Sequence, residues 1–306
     1  MVTIDRRAKY IAQLEEKWQS LTIKDDTMFG MVMENQDICL ELLQRVLPEL
    51  NIQSIRRLET QKEASGPLSA RTVRFDVFVR DQQQRTFVIE MQVANRHNLP
   101  YRLRYYQHQI DFDILNVGDS YQKLAEYPTY VIMFCDFDYF QRGQVEYCFE
   151  NRSVKDDGLS LHDGRKIIVF NAKATDFHDN IKVEGFLKLM NNQVDQRDEL
   201  VKRIDHEMRR IKEDPRRRHG FMKYELDLMD ARADGKAEGL KQGKVEGLKQ
   251  GKAKGLKQGK EEGISATIQA LRNINAHRDQ IIEQLIQIYE LTPERAQAYY
   301  DKYTVK

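Results

Sequence analysis

Long apolar runs are missing from this sequence. No stretch approaches the ~18–20 uninterrupted apolar residues of a membrane helix. The opening "MVTIDRRAKYIAQLEEKW" carries charge throughout and has no apolar centre, which argues against a secretory signal. Cysteine is scarce: Cys39, Cys135 and Cys148 are too few and too scattered for a disulfide framework. Each sits in apolar surroundings and reads as a buried thiol of a cytoplasmic protein. The seven histidines show no metal-binding spacing, and His97 and His108 are eleven apart. No Walker-type glycine loop and no acyl-transfer triad signature occurs, so no organic cofactor is expected. Net charge is also nearly absent, at +1.

What the chain does have is length and unevenly placed charge. Its 306 residues allow one domain of about 200 residues with its own core, plus appendages. Apolar residues make up 41% and charged residues 32%, a globular balance rich in charge. From Lys202 to Arg218 eight Lys/Arg face four Asp/Glu, and from Gly235 to Gly263 the count is again eight against four. Positive charge is therefore concentrated in the C-terminal third.

Helical spacing over 5–20 (Tyr10, Ile11, Leu14, Trp18) and a second amphipathic helix carrying Ile38, Leu42, Leu43 and Val46, stopped by Pro48, open the chain. "GPLSA" at 66–70 is a loop. Strands are expected over 72–80 and 85–93, followed by a helix between Pro100 and Gly118. "TYVIMFCDF" suits a buried central strand, and "QVEYCFE" and "KIIVFNA" supply two more. This order predicts a mixed α/β domain over 1–195. A basic, charged helical segment (196–234), a glycine-rich octad repeat (235–263) and a small helical tail (264–306) follow it.

In the repeat, glycine recurs every four residues from Gly235 to Gly263, and Leu240, Leu248, Leu256 and Ile264 every eight. Eight glycines at ~0.8–1 kcal/mol each disfavour an isolated helix by roughly 7 kcal/mol relative to alanine. A fluctuating spacer, glycine-mediated self-association into a homo-oligomer, and lysine contacts to DNA are the three readings it leaves open.

The chemistry concentrates in "RFDVFVRDQQQRTFVIEMQV", residues 74–93. Strand alternation puts Phe75, Val77 and Val79 on one face of the first strand and Asp76, Phe78 and Arg80 on the other. In the second strand Val88, Glu90 and Gln92 share a face. If Asp81 pairs with Arg85, position numbers across the hairpin sum to 166 and Asp76 lies opposite Glu90. A one-residue slip would separate them. Facing carboxylates repel, and a divalent cation would offset the repulsion, oxygen ligands suiting Mg²⁺ or Mn²⁺. Solvated polar residues on a sheet face are the plainer alternative.

Asp76–x13–Glu90–x–Gln92 on a hairpin resembles the PD-(D/E)XK nuclease superfamily. With "KDDTMFGMVMEN" before it and "RLRYYQHQIDFDILNVGDSY" after it, the stretch looks like the bacterial transposase-like branch of recombination-promoting nucleases. The resemblance covers about 20–195 and implies a restriction-endonuclease-like mixed sheet flanked by helices. It implies metal-assisted phosphodiester hydrolysis on DNA, with Asp76, Glu90 and the Met91 carbonyl as metal ligands. Gln92 stands where the superfamily usually has lysine; it can hold a water but carries no charge. Asp26 is the candidate for a further acid, with Glu41 as competitor. Arg102, Arg104 and Tyr106, and beyond them Arg216, Arg217 and Arg218, are the expected DNA contacts. An inactive DNA-binding or assembly protein that keeps the fold, and an RNA-directed nuclease, are the other readings.

Overall fold

The first 50 residues form α1 (Val2–Ser20), α2 (Asp26–Met33) and α3 (Gln36–Val46) in the computed structural model, which describes residues 2–64, 72–178 and 181–304. The sequence reading places one amphipathic helix after Lys24, where there are two. Asn35 makes the break: its side chain accepts from the N–H groups of Asp37 and Ile38 and caps a new helix.

Six strands follow, interleaved with helices: β1 (Ile55–Glu63), β2 (Arg74–Asp81), β3 (Thr86–Gln92), α4 (Leu99–Ile114), β4 (Thr129–Cys135), β5 (Glu146–Phe149) and β6 (Arg165–Asn171). They join in one mixed sheet of order β1-β2-β3-β4-β6-β5. Antiparallel pairs lie at its two ends, and β3, β4 and β6 run parallel at its centre. β1 escapes sequence reading because "IRRLETQKE" has almost no apolar alternation; charge of this kind is what edge strands carry. The expected loop at 66–70 falls outside the described residues.

Helices cover both faces of the sheet. Trp18, Phe29, Leu42 and Phe186 pack on Val77, Ile89 and Phe134 on one side, while α4 lays Leu103, Tyr106 and Ile110 over Phe78, Val88 and Met133 on the other. Double coverage is why β4 reads as a continuous apolar run. Of the cysteines, Cys39 and Cys135 are buried as expected, but Cys148 is exposed, because β5 is the outer strand.

Packing does not stop at residue 195. After α5 (Ile181–Met190), the helix α6 (Glu199–Glu213) places Leu200, Val201, Ile204 and Ile211 in the first core. Trp18 donates its indole N–H to the Lys212 carbonyl at 3.0 Å and meets Phe221 at 5.3 Å between ring centroids. The first compact unit therefore runs to Glu225, taking in most of the segment read from sequence as a separate appendage.

The second unit begins at Leu226. It comprises most of α7 (Pro215–Asn273) together with α8 (Arg278–Tyr289) and α9 (Pro293–Thr304), closed by a small core of Ile264, Ile268, Ile281 and Leu285. The glycine repeat is helical throughout. From Gly235 to Gly259, however, no glycine has a neighbouring group within 4 Å of where a β-carbon would sit, and Leu240, Leu248 and Leu256 are about two-thirds exposed. Among the described residues nothing fills these glycine positions to offset the low propensity of the stretch. Amide hydrogen exchange is expected to be fast across 235–259 and slow in β3 and β4, and Gly→Ala at Gly243, Gly247 and Gly251 should slow it locally. Protection across the repeat equal to that of β4 would contradict this. Among the described residues no helix is long and apolar enough to cross a membrane.

Candidate active site

The β2–β3 ladder pairs Arg80 with Thr86, Phe78 with Val88 and Val77 with Ile89, so its position numbers sum to 166. The register is the one the sequence predicts. The Asp81 N–H meets the Arg85 carbonyl at 3.1 Å, and the Asp81 carboxylate binds the Arg85 guanidinium at 2.6 Å, which pins the turn.

Beyond Val77 the ladder stops. The Asp76 N–H donates to Glu90 Oε1 at 2.9 Å, and the Met91 N–H donates to Asp76 Oδ2 at 3.1 Å. Each carboxylate thus takes the place of a ladder carbonyl, and the two backbone donors stay satisfied while the strands part. An extended residue points its N–H and C=O the same way, so the Met91 carbonyl is also directed towards β2. On the other side of β2, Gln61 adopts a left-handed backbone (φ 52°) between the pairs Thr60–Val77 and Lys62–Phe75. Alternation breaks here too: Phe75, expected beside Val77 and Val79, packs instead with Phe78 and edge-on against Tyr106 at 5.4 Å.

Both acids are buried, Glu90 completely. Burial, helped by the charge of Asp76, pushes the Glu90 carboxyl up to about 8 although Arg102 pulls the other way. Burial likewise raises Asp76 to about 6, against the Met91 N–H and with a further upward push from Asp26. One face of α2 sets Asp26 there: four residues on, a β-carbon at Gly30 would lie 3.9 Å from the Asp76 carbonyl oxygen. Asp26 is exposed in the first turn of α2, where the helix N-terminus favours its charge. Its competitor Glu41 is instead bound by Arg45 and Arg203.

α4 covers the pair. Arg102 donates Nη2 to Glu90 Oε2 at 2.7 Å, Nε to the Tyr106 hydroxyl at 2.7 Å, and Nη1 to Gln92 Oε1. Gln92 donates its own amide to the Ala94 carbonyl at 2.6 Å, so both ends of that side chain are engaged. Tyr106 is buried beneath Arg102, while Arg104 is exposed on α4. Arg216 and Arg218 are exposed at the start of α7, whereas Arg217 is bound to Glu34 at 2.8 Å.

Two further charged groups adjoin these residues without any signal in the sequence. Asp136, whose N–H meets the Gln92 carbonyl at 2.9 Å, binds Lys24 at 2.8 Å and Lys173 at 2.7 Å. Arg74, paired with Tyr224, feels the charges of Asp26 and Asp76. Lys24 lies in the quoted "KDD", but nothing in sequence ties it to residues 112 and 149 positions away.

Among the described residues, no three His, Cys, Asp or Glu side chains are already gathered around one point. Two buried carboxylates, a carbonyl facing the same gap and an exposed third acid nearby are nonetheless a hard-oxygen donor set. Mg²⁺ commonly takes one or two carboxylates and completes its shell with water and substrate phosphate. The residues fit such an ion.

Acids at the point where an antiparallel hairpin opens onto parallel strands, under a covering helix, place the fold among restriction-endonuclease-like α/β proteins. The sequence profile of the PD-(D/E)XK nuclease family transposases matches residues 26–232, and the chain belongs to that family. No curated protein and no solved structure matches it. The family match begins at Asp26 and extends past residue 195, in keeping with the packing of α6.

Proposed function

We propose that the protein is a metal-dependent DNA endonuclease that hydrolyses phosphodiester bonds in recombination or transposition. The observation that carries this reading is the reciprocal pair of bonds by which Asp76 and Glu90 enter the gap between β2 and β3. Two buried like charges cost stability unless something positive joins them. Asp76, Glu90 and the Met91 carbonyl would hold a Mg²⁺ or Mn²⁺ ion, with Asp26 reaching it directly or through water. Bound there, the ion supplies Lewis-acid polarisation of the phosphate and a water of lowered pKa.

The chain's own residues do the rest. Asp76 and Glu90 must shed their protons, Gln92 orients polar groups at the strand end without contributing charge, and the rigid β3–β4 pair fixes the geometry. Arg104, Arg216 and Arg218 face solvent and would contact the DNA backbone. Replacing Arg216 and Arg218 by alanine should weaken DNA binding on every sequence and reduce the salt slope by about 1 per residue. An unchanged slope, read by fluorescence anisotropy, would remove them from the interface.

Incubation with supercoiled plasmid tests the function itself. Nicked or linear product with Mg²⁺ that disappears with EDTA is the expected result. Tight binding without cutting in any divalent metal would favour the inactive DNA-binding alternative instead.

A further inference from the structure

Glu90 has two carboxylate oxygens, and both are engaged. Oε1 accepts from the Asp76 backbone and Oε2 from Arg102, and the Tyr106 hydroxyl is a third partner of the carboxylate. An ion joining this carboxylate must therefore share or break one of these bonds. The Asp76 N–H is part of β2, and among the described residues Glu90 Oε1 is its acceptor. Arg102 is different: its side chain is 31% exposed, and its guanidinium rests 4.9 Å from the Tyr106 ring, held at Nε by the Tyr106 hydroxyl. It can leave Glu90 while staying anchored through Nε on Tyr106 and Nη1 on Gln92.

We propose that Arg102 is the built-in countercation of this site, and that a divalent cation displaces it from Glu90 onto the phosphodiester. The inference rests on the nuclease reading and adds a competition to it. While no ion is bound, the guanidinium neutralises a carboxylate that is fully buried beside Asp76. Once an ion takes Glu90, two like charges cannot share that oxygen, and Nη2 is freed while Nη1 stays on Gln92. Nη2 is then directed to an anion at the strand end, where a charge-assisted guanidinium–phosphate contact is favourable. This would supply the positive charge that Gln92 cannot. Arg102 is thus bound to Glu90 or to substrate, and metal loading selects between the two.

Competition of this kind has a signature that a purely structural ion pair lacks: removing the arginine should improve metal binding while harming the reaction. Mn²⁺ alone is titrated into the full chain at pH 8.5, followed by electron paramagnetic resonance of the free ion and by calorimetry. Circular dichroism confirms the fold of each variant. Arg102→Gln is expected to bind Mn²⁺ about 5–150-fold more tightly than the unaltered chain, the range of ordinary coupling between sites, and to cut plasmid more slowly at saturating metal. Arg102→Lys, a milder change should the first variant not fold, is expected to bind more tightly than arginine but less tightly than glutamine.

Equal or weaker Mn²⁺ binding by both variants, with binding by the unaltered chain intact, would overturn the displacement and leave the nuclease reading standing. Full cutting by Arg102→Gln at saturating metal would overturn the transfer to phosphate. Failure of every chain to bind Mn²⁺ would overturn both this inference and the reading on which it rests.

Discussion

Asp76→Asn should melt at a higher temperature than the unaltered chain when both are stripped of metal at pH 8, and it should cut no DNA. At that pH the native site holds Asp76 ionised beside a Glu90 that is losing its proton, with both carboxylates buried. Asparagine keeps an oxygen for the Met91 N–H and removes one of the two like charges. Glu90 then ionises more easily against Arg102. Relief of a strained functional site commonly returns about 0.5–2 kcal/mol, and for a unit of this size each kcal/mol is worth about 2–4 °C. Loss of a ligand to the activating ion should cost about 10²–10³-fold in cutting rate or more. Added Mg²⁺ should reverse the order of melting, because only the unaltered chain gains stability from binding it. A variant that melts lower than the unaltered chain in both conditions would show that Asp76 is there to support the sheet rather than to hold an ion.

Metal binding should strengthen as pH rises from about 6 to about 8 and level off above that. The Asp76–Glu90 pair titrates across this window, Asp76 near 6 and Glu90 near 8, and an oxygen must lose its proton before it can coordinate. Near neutrality, binding should release close to one proton, drawn chiefly from Glu90. Calorimetry in buffers of different ionisation enthalpy measures that number directly. The same displaced titration acts on stability in the opposite sense. Both folded-state values lie above those of the unfolded chain, so the metal-free fold retains the protonated carboxyls' full contribution at acid pH. It loses that contribution as pH climbs through the Glu90 value. A metal affinity independent of pH between 6 and 8 would show that Glu90 is not a ligand.

The hairpin register and the meeting of Asp76 with Glu90 were legible because side-chain alternation and turn length are local properties. So were the central strand β4, with its unbroken apolar run, and the start of α4 at Pro100. Elements whose character is set from a distance were not legible. β1 belongs to the sheet through pairing with β2 rather than through any pattern of its own. The glycine repeat is helical against its propensity. At Asp76 alternation itself fails, because the carboxylate of Glu90 accepts the N–H that a ladder carbonyl would otherwise hold; Phe75 therefore turns to Tyr106. Arg102 could be chosen from sequence as a phosphate contact, but its bond to Glu90 depends on how α4 crosses the sheet. The lysines gathered by Asp136 come from segments too far apart for spacing to connect them.

The most direct test compares plasmid cutting by the unaltered chain and by Asp76→Ala, purified side by side and assayed with Mg²⁺. Nicked or linear DNA is expected from the first and none above background from the second, with both chains folded by circular dichroism. Undiminished cutting by Asp76→Ala would contradict it, because the buried pair between β2 and β3 would then not be the centre of the chemistry.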